Sequence, residues 1–262
     1  MSVKTIHFLS GLPRSGSTLL GSLLAQHENV YVTPTSPVLD LLCFTNEAFS
    51  KLNNNYTYKE SIDVDIYKAI AETYYGQFNE SVVVDKHRGW PRNVWPATTC
   101  ITPSPKIVCT YRPISEVITS YIVLMNQQKG NNFIDDYLTQ KRIPITTEAR
   151  AKCLWENYIS DPYNSLVYGL GKHRSNIFLV SYDDITGLPQ ETMAKVNDFL
   201  GLSSLEHDFG KIENACAESK DAAWGLNGLH AIRPSLNRIS VHPDKILGPF
   251  LSSYYDKFNI GQ

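Results

Sequence analysis

The sequence predicts a doubly wound α/β fold. Short apolar runs without polar alternation recur along it, stretches long enough for helices separate them, and a glycine-bearing loop follows the first run. The runs are Ile6 to Leu9, Val82 to Val84, Ile107 to Tyr111 and Ile177 to Val180. A strand with one wet face alternates apolar with polar residues, so unbroken runs predict parallel strands covered by helices on both faces.

Ile6 to Leu9 leads into Ser10-Gly11-Leu12-Pro13-Arg14-Ser15-Gly16-Ser17-Thr18-Leu19-Leu20, which reads as strand, loop, helix. Gly11 and Gly16 keep the spacing of a phosphate-binding loop, in which backbone N–H groups converge on an anion at a helix N-terminus. Thr18 adds a hydroxyl donor. The lysine that a nucleoside triphosphatase carries after its second glycine is Ser17 here, so the strong cation of the loop is Arg14. An ordinary turn rich in small residues is the alternative, and the coincidence of several donors with one arginine favours the anion cradle.

Ile66, Ile70 and Tyr74 repeat every four residues after Asp63 and Asp65, a helix with acids at its N-terminus. Val82 to Val84 then runs into Asp85-Lys86-His87-Arg88, where a cation and a base leave the sheet together. In open α/β sheets ligands sit beyond the carboxyl ends of the strands. There Lys86 could neutralise charge on a transferred group, and His87, with an ordinary pKa of about 6.5, could take a proton from a hydroxyl. The alternative is a solvated polar turn.

Ile107 to Tyr111 is followed by Arg112-Pro113, and Ser120 lies eight residues after the arginine. Two helical turns of about 5.4 Å each bring that serine and the guanidinium to one side of the junction, a clamp for a phosphate monoester. Ala151, Leu154, Trp155, Tyr158 and Ile159 form one helical apolar stripe, which Pro162 should end or kink. Ile177 to Val180 precedes Ser181-Tyr182-Asp183-Asp184, either a helix N-cap or a magnesium-holding strand end. Residues 203–240 read as loops with short helices, and Pro243 to Phe258 as a helix interrupted at Gly248-Pro249.

Composition narrows the partners. The 262 residues carry 24 Lys+Arg against 26 Asp+Glu, a net charge of −2, with 42% apolar and 19% charged residues, which excludes a disordered chain or a general nucleic-acid binder. Five cysteines without C-x-x-C spacing read as reduced, buried thiols. Ile6 to Leu9 is too brief for a secretory core or for the roughly 20 residues of a membrane span, so a cytoplasmic protein is expected. The triplets Asn55-Tyr56-Thr57 and Asn79-Glu80-Ser81 then match a glycosylation pattern by chance. Without repeats or a long linker, residues 1–262 read as one domain.

The four strand-end clusters, in this order, resemble the sulfotransferase family, which moves a sulfuryl group from 3′-phosphoadenosine 5′-phosphosulfate to a hydroxyl or amine. The resemblance covers nearly the whole chain. Pro13-Arg14-Ser15-Gly16-Ser17-Thr18 is similar to the family's 5′-phosphosulfate loop, and Arg112 with Ser120 to its 3′-phosphate site. Ser181-Tyr182-Asp183-Asp184-Ile185 is similar to a stretch whose tyrosine contacts the nucleotide, and Leu229-His230-Ala231-Ile232-Arg233-Pro234 to a late basic segment in which Arg233 is a further phosphate contact.

The resemblance implies a P-loop-like, three-layer fold with a central, mostly parallel sheet flanked by helices. It also implies a donor bound without a required metal, with adenosine 3′,5′-bisphosphate as product and Arg14 and Lys86 stabilising charge on the transferred group. Cytosolic members place a catalytic histidine two positions beyond the lysine, whereas His87 follows Lys86 directly. Tyrosylprotein-type members use a glutamate where this chain reads Val32-Thr33-Pro34-Thr35-Ser36. His87 is therefore the general-base candidate, with Asp40, Glu47 and Asp85 as alternatives. An ATP- or GTP-dependent kinase or hydrolase and a non-catalytic nucleotide-binding protein are the competing readings. Carbohydrate, peptide, lipid and small-molecule acceptors all stay open.

Overall fold

In this computed structural model, which describes residues 4–52, 61–128, 132–216, 225–236 and 240–260, five strands make one parallel sheet. They are β1 (Thr5–Gly11), β2 (Val30–Thr35), β3 (Val82–Lys86), β4 (Ile107–Tyr111) and β5 (Ile177–Ser181), in the spatial order β2-β3-β1-β4-β5. The chain steps from β1 to one side of the sheet for β2 and β3, then crosses to the other for β4 and β5. The carboxyl end of β1 thus sits where strand order reverses, between those of β3 and β4.

Strand side chains alternate between faces, so each apolar run fills two cores. Ile6, Phe8, Val83, Ile107 and Cys109 go to one cluster, whereas Leu9, Val82, Val84, Val108 and Val180 go to the other. The first is covered by α2 (Val38–Leu52), α3 (Ile62–Gly76), α4 (Val94–Pro96), α5 (Ile114–Gln127), α6 (Phe133–Gln140), α7 (Thr147–Leu154) and α8 (Ser160–Lys172), and by α12 (Pro249–Asp256), which follows the short α11 (Pro243–Ile246). The second is covered by α1 (Ser17–Leu24), α9 (Tyr182–Gly187) and α10 (Pro189–Leu200). Three layers result. Phe8 packs on the fully buried Trp90 at 4.3 Å between ring centroids, fixing the turn after β3 to the middle of the sheet.

Several expectations are corrected. β2 lacks a long apolar run because it is an edge strand that tolerates Pro34, with its register shifted between Val32 and Thr35. α3 does start at Asp63 and Asp65, but its buried stripe is Tyr67, Ala71 and Tyr75, one residue on from the expected one. The helix approaching Pro162 does not end. It widens into a π turn at Trp155–Ile159, directly before Pro162 in the first turn of α8. The described parts of 203–240 form turns without helix, with Gly225 and Gly228 at positive φ. The Gly248-Pro249 break separates α11 from α12 as expected. Asn55-Tyr56-Thr57 lies outside the described residues. All five cysteines are free thiols, with Cys109, Cys153 and Cys216 buried and Cys43 and Cys100 half-buried. Among the described residues no helix is long and apolar enough to cross a membrane.

Two histidines make stability pH-dependent. Burial, with Lys106 nearby, lowers the His7 pKa to about 4, and burial, with His27 nearby, lowers that of His207 to about 4. A histidine with a depressed folded-state pKa binds fewer protons when folded, so the stability present above pH 6.5 is lost as the pH falls toward 4. The loss should reach on the order of a few kcal/mol. Urea midpoints recorded from pH 7 to pH 4.5 should fall accordingly, and His207→Gln should flatten the slope. An unchanged slope would remove His207 from this role.

Candidate active site

The loop after β1 is held in an uncommon shape by close backbone packing. Gly11 has φ of +135°, and a Cβ there would come within 2.2 Å of the Thr110 carbonyl oxygen. Gly16 has φ of +93° and lies against the Tyr182 ring, which a Cβ would meet at 3.1 Å. Between them Arg14 adopts φ of +58°, a left-handed conformation that costs a non-glycine residue free energy. The Ser15 hydroxyl is buried and lies 2.6 Å from both the Leu12 carbonyl and Thr110 Oγ1, which ties the loop to β4. α1 then begins at Ser17 with no side-chain cap from Gly16, and Ser17, Thr18 and Leu19 line a cleft of about 340 Å³.

This cleft brings together most of the residues singled out in the sequence. Arg14, Gly16, Ser17, Thr18, Lys86, Arg112, Ser120, Tyr182 and Arg233 all line it. Pro13 and Ser15 are buried behind the loop and shape it, rather than lining the cleft. Among the described residues the wall carries five cationic side chains, Arg14, Lys86, Arg88, Arg112 and Arg233, and no carboxylate. A chain of net charge −2 thus concentrates positive charge on one concave surface. Arg88 joins it although nothing in its own sequence position gave it a role.

The cations are held individually. Lys86 is buried at the end of β3, where its backbone N–H donates to Thr33 Oγ1 at 2.9 Å and its Nζ reaches Thr18 Oγ1 at 3.4 Å. Arg112 leaves β4 with its side chain 4% exposed, donates Nε–H to Glu116 at 2.8 Å, and lies over the Tyr182 ring at 4.3 Å. Arg14 Nε donates to Ser120 Oγ at 3.2 Å, and Nη1 donates to the Leu229 carbonyl. Arg14 therefore meets both the serine eight residues after Arg112 and the late segment that carries Arg233. Tyr182, packed between Gly16 and Arg112, joins the end of β4 to the loop after β1.

The candidate bases separate clearly. His87 does not line the cleft. It borders a small recess that shares Ser17, Lys86 and Arg88 with it. His87 Nδ1 accepts the Gly89 N–H at 3.0 Å, which leaves the proton of a neutral ring on Nε2, 3.4 Å from Asp40 Oδ2. Asp40 lies in the first turn of α2 and is largely exposed. Asp85 instead points into the core, accepting from Tyr75 Oη at 3.0 Å and Trp90 Nε1 at 2.8 Å, and burial pushes its carboxyl up. It holds the turn after β3 and cannot reach an acceptor. Glu47 is exposed two turns along α2, paired with Lys51 at 2.5 Å. The Ser181 hydroxyl accepts the Asp184 N–H at 2.9 Å, so Ser181-Tyr182-Asp183-Asp184 is a helix N-cap with Asp183 exposed outside the cleft. Among the described residues no group of three or more His, Cys, Asp or Glu is placed to hold a metal ion.

A family model described as the sulfotransferase family matches residues 7–207. No curated protein sequence matches the chain. Of the solved structures, mouse sulfotransferase SULT7A1 complexed with PAP superposes with a TM-score of 0.53 at 10% identity, covering 98% of this chain and 83% of that one. Sulfotransferase STF9 from Mycobacterium avium gives 0.50 at 12% identity, covering 100% of this chain and 78% of that one. At these identities the likeness is one of fold.

Proposed function

Because the chain belongs to the sulfotransferase family and is an enzyme of that kind, we propose that it moves a sulfuryl group from 3′-phosphoadenosine 5′-phosphosulfate to an acceptor hydroxyl or amine. The observation that carries this reading is that Arg14 and Arg112, from two separate strand ends, line one cleft whose lining, among the described residues, includes five cations and no carboxylate. A donor with a 3′-phosphate and a 5′-phosphosulfate fits that charge. Arg14, Gly16, Ser17 and Thr18 would hold its 5′ end, Arg112 and Ser120 its 3′-phosphate, and Tyr182 and Arg233 its flanks. The donor supplies the activated sulfuryl group and leaves as adenosine 3′,5′-bisphosphate.

The chain's own residues then have three tasks. Arg14 and Lys86 stabilise negative charge on the transferred group and on the departing phosphate oxygen, and they do so without reorganising, because Lys86 is already buried and held. The acceptor proton goes to the Asp40–His87 pair, in which His87 borders the recess that shares Lys86 with the cleft and its Nε2 lies 3.4 Å from Asp40 Oδ2. Asp40→Asn should lower turnover by about 10²–10⁴-fold with donor affinity unchanged. His87→Gln, which keeps a donor toward Asp40, should cost less. Rates under saturating donor check both, and an active Asp40→Asn would move the base elsewhere. The five free thiols support a reducing compartment, the cytoplasm.

The acceptor class is read by experiment. Purified enzyme supplied with the donor is offered separate pools of carbohydrates, peptides, lipids and small phenols, and mass spectrometry reads an added sulfuryl group. A product in one pool supports transfer. Consumption of ATP or GTP with no use of the sulfate donor would contradict it.

A further inference from the structure

Glu116 is a carboxylate tied directly to a cation of the cleft by a short hydrogen bond in a buried setting. Its Oε2 accepts Nε–H of Arg112 at 2.8 Å, with the two side chains 23% and 4% exposed. Glu116 does not line the cleft, whereas Arg112 does. Arg112, Glu116 and Ser120 are spaced four residues apart, so the first turns of α5 carry Glu116 and Ser120 in line behind the arginine. A guanidinium is planar and rigid, and two of its contacts bear on how it lies. The Tyr182 ring at 4.3 Å sets its plane, and the Nε bond to Glu116 sets its rotation within that plane.

We infer that Glu116 is a positioning residue that gives the donor site its selectivity for a 3′-phosphorylated nucleotide, by holding Arg112 in the orientation that takes the 3′-phosphate. The inference rests on the donor reading above. It also runs against the plain electrostatic expectation. A carboxylate beside an anion site repels the ligand, so on charge alone its removal should tighten binding. If its work is geometric, its removal weakens binding instead, because Arg112 gains freedom that the ligand must then take away.

The test is calorimetric titration of the full chain with two probes, adenosine 3′,5′-bisphosphate and adenosine 5′-phosphate. Glu116→Ala should weaken the bisphosphate by about tenfold or more and leave the monophosphate unchanged. Glu116→Gln, whose amide oxygen still accepts Nε–H without the charge, should bind the bisphosphate as tightly as the wild type or tighter. Glu116→Asp keeps the charge, draws the oxygen back from Nε, and should behave like Glu116→Ala, which covers the case of an alanine variant that does not fold. In an Arg112→Ala background Glu116→Ala should weaken the bisphosphate no further and should return part of its affinity by removing the unpaired carboxylate, which separates positioning of Arg112 from general destabilisation. Equal weakening of both probes, unchanged or tighter bisphosphate binding by Glu116→Ala, or a full effect in the Arg112→Ala background would each overturn the inference. Failure of the wild type to bind the bisphosphate would overturn the donor reading, and this inference with it.

Discussion

Replacing Lys86 by alanine should lower turnover by about 10²–10³-fold while the dissociation constant of adenosine 3′,5′-bisphosphate stays within a few-fold of the wild type. The expected split follows from where the side chain sits. Lys86 ends β3, beside the loop that follows β1, buried to 7% exposure and in reach of Thr18 Oγ1. On the proposed donor binding a cation there would meet the part of the donor that changes charge during transfer, in a recess where water screens little. Its interaction should therefore be stronger in the transition state than with the product nucleotide, which lacks the sulfuryl group. Steady-state rates beside a binding titration decide the matter. An equal loss in both would make Lys86 a binding residue only.

Arg112→Ala should act in the opposite way, weakening adenosine 3′,5′-bisphosphate by about 100-fold, or about 3 kcal/mol, and leaving adenosine 5′-phosphate nearly unaffected. The side chain is 4% exposed and charge-assisted bonds in such a setting are among the stronger ones. The substitution also strips Glu116 of its cation and leaves an uncompensated carboxylate near the nucleotide. That repulsion adds to the loss. Arg112→Lys should recover only part of the affinity, since an ammonium cannot keep the contact over Tyr182 and the bond to Glu116 in the same plane. A comparable fall for both nucleotides would mean that Arg112 supports the cleft rather than the 3′-phosphate.

What could be read in the sequence, and what could not, follows from the range of each signal. β1, β3, β4 and β5 were visible because both of their faces are covered, so each run is apolar throughout. β2 carries Thr33, Pro34 and Thr35 on the edge of the sheet, where a proline costs no ladder bond, and no local pattern marked it. Arg14, Lys86, Arg112 and Tyr182 were visible because each lies at or just after a strand end, and parallel strands deliver those ends to one side.

The rest depends on tertiary contacts. Asp40 and His87 are 47 positions apart, and only the packing of α2 beside the turn after β3 brings them to 3.4 Å. Glu116 looks in sequence like any acid in a helix's first turn, the place where such residues are common for capping and dipole reasons alone. Asp85 shows the reverse. It stands next to Lys86 in the sequence, yet strand alternation turns it into the core, where Tyr75 and Trp90 take its oxygens.

On the proposed mode of donor binding, one bisphosphorylated adenosine should span Arg14 and Arg112. A crystal structure of the enzyme with adenosine 3′,5′-bisphosphate tests it most directly. The 3′-phosphate should lie on Arg112 and Ser120, and the 5′-phosphate in the loop from Pro13 to Thr18. A nucleotide bound outside this cleft, or one whose 3′-phosphate makes no contact with Arg112, would contradict it.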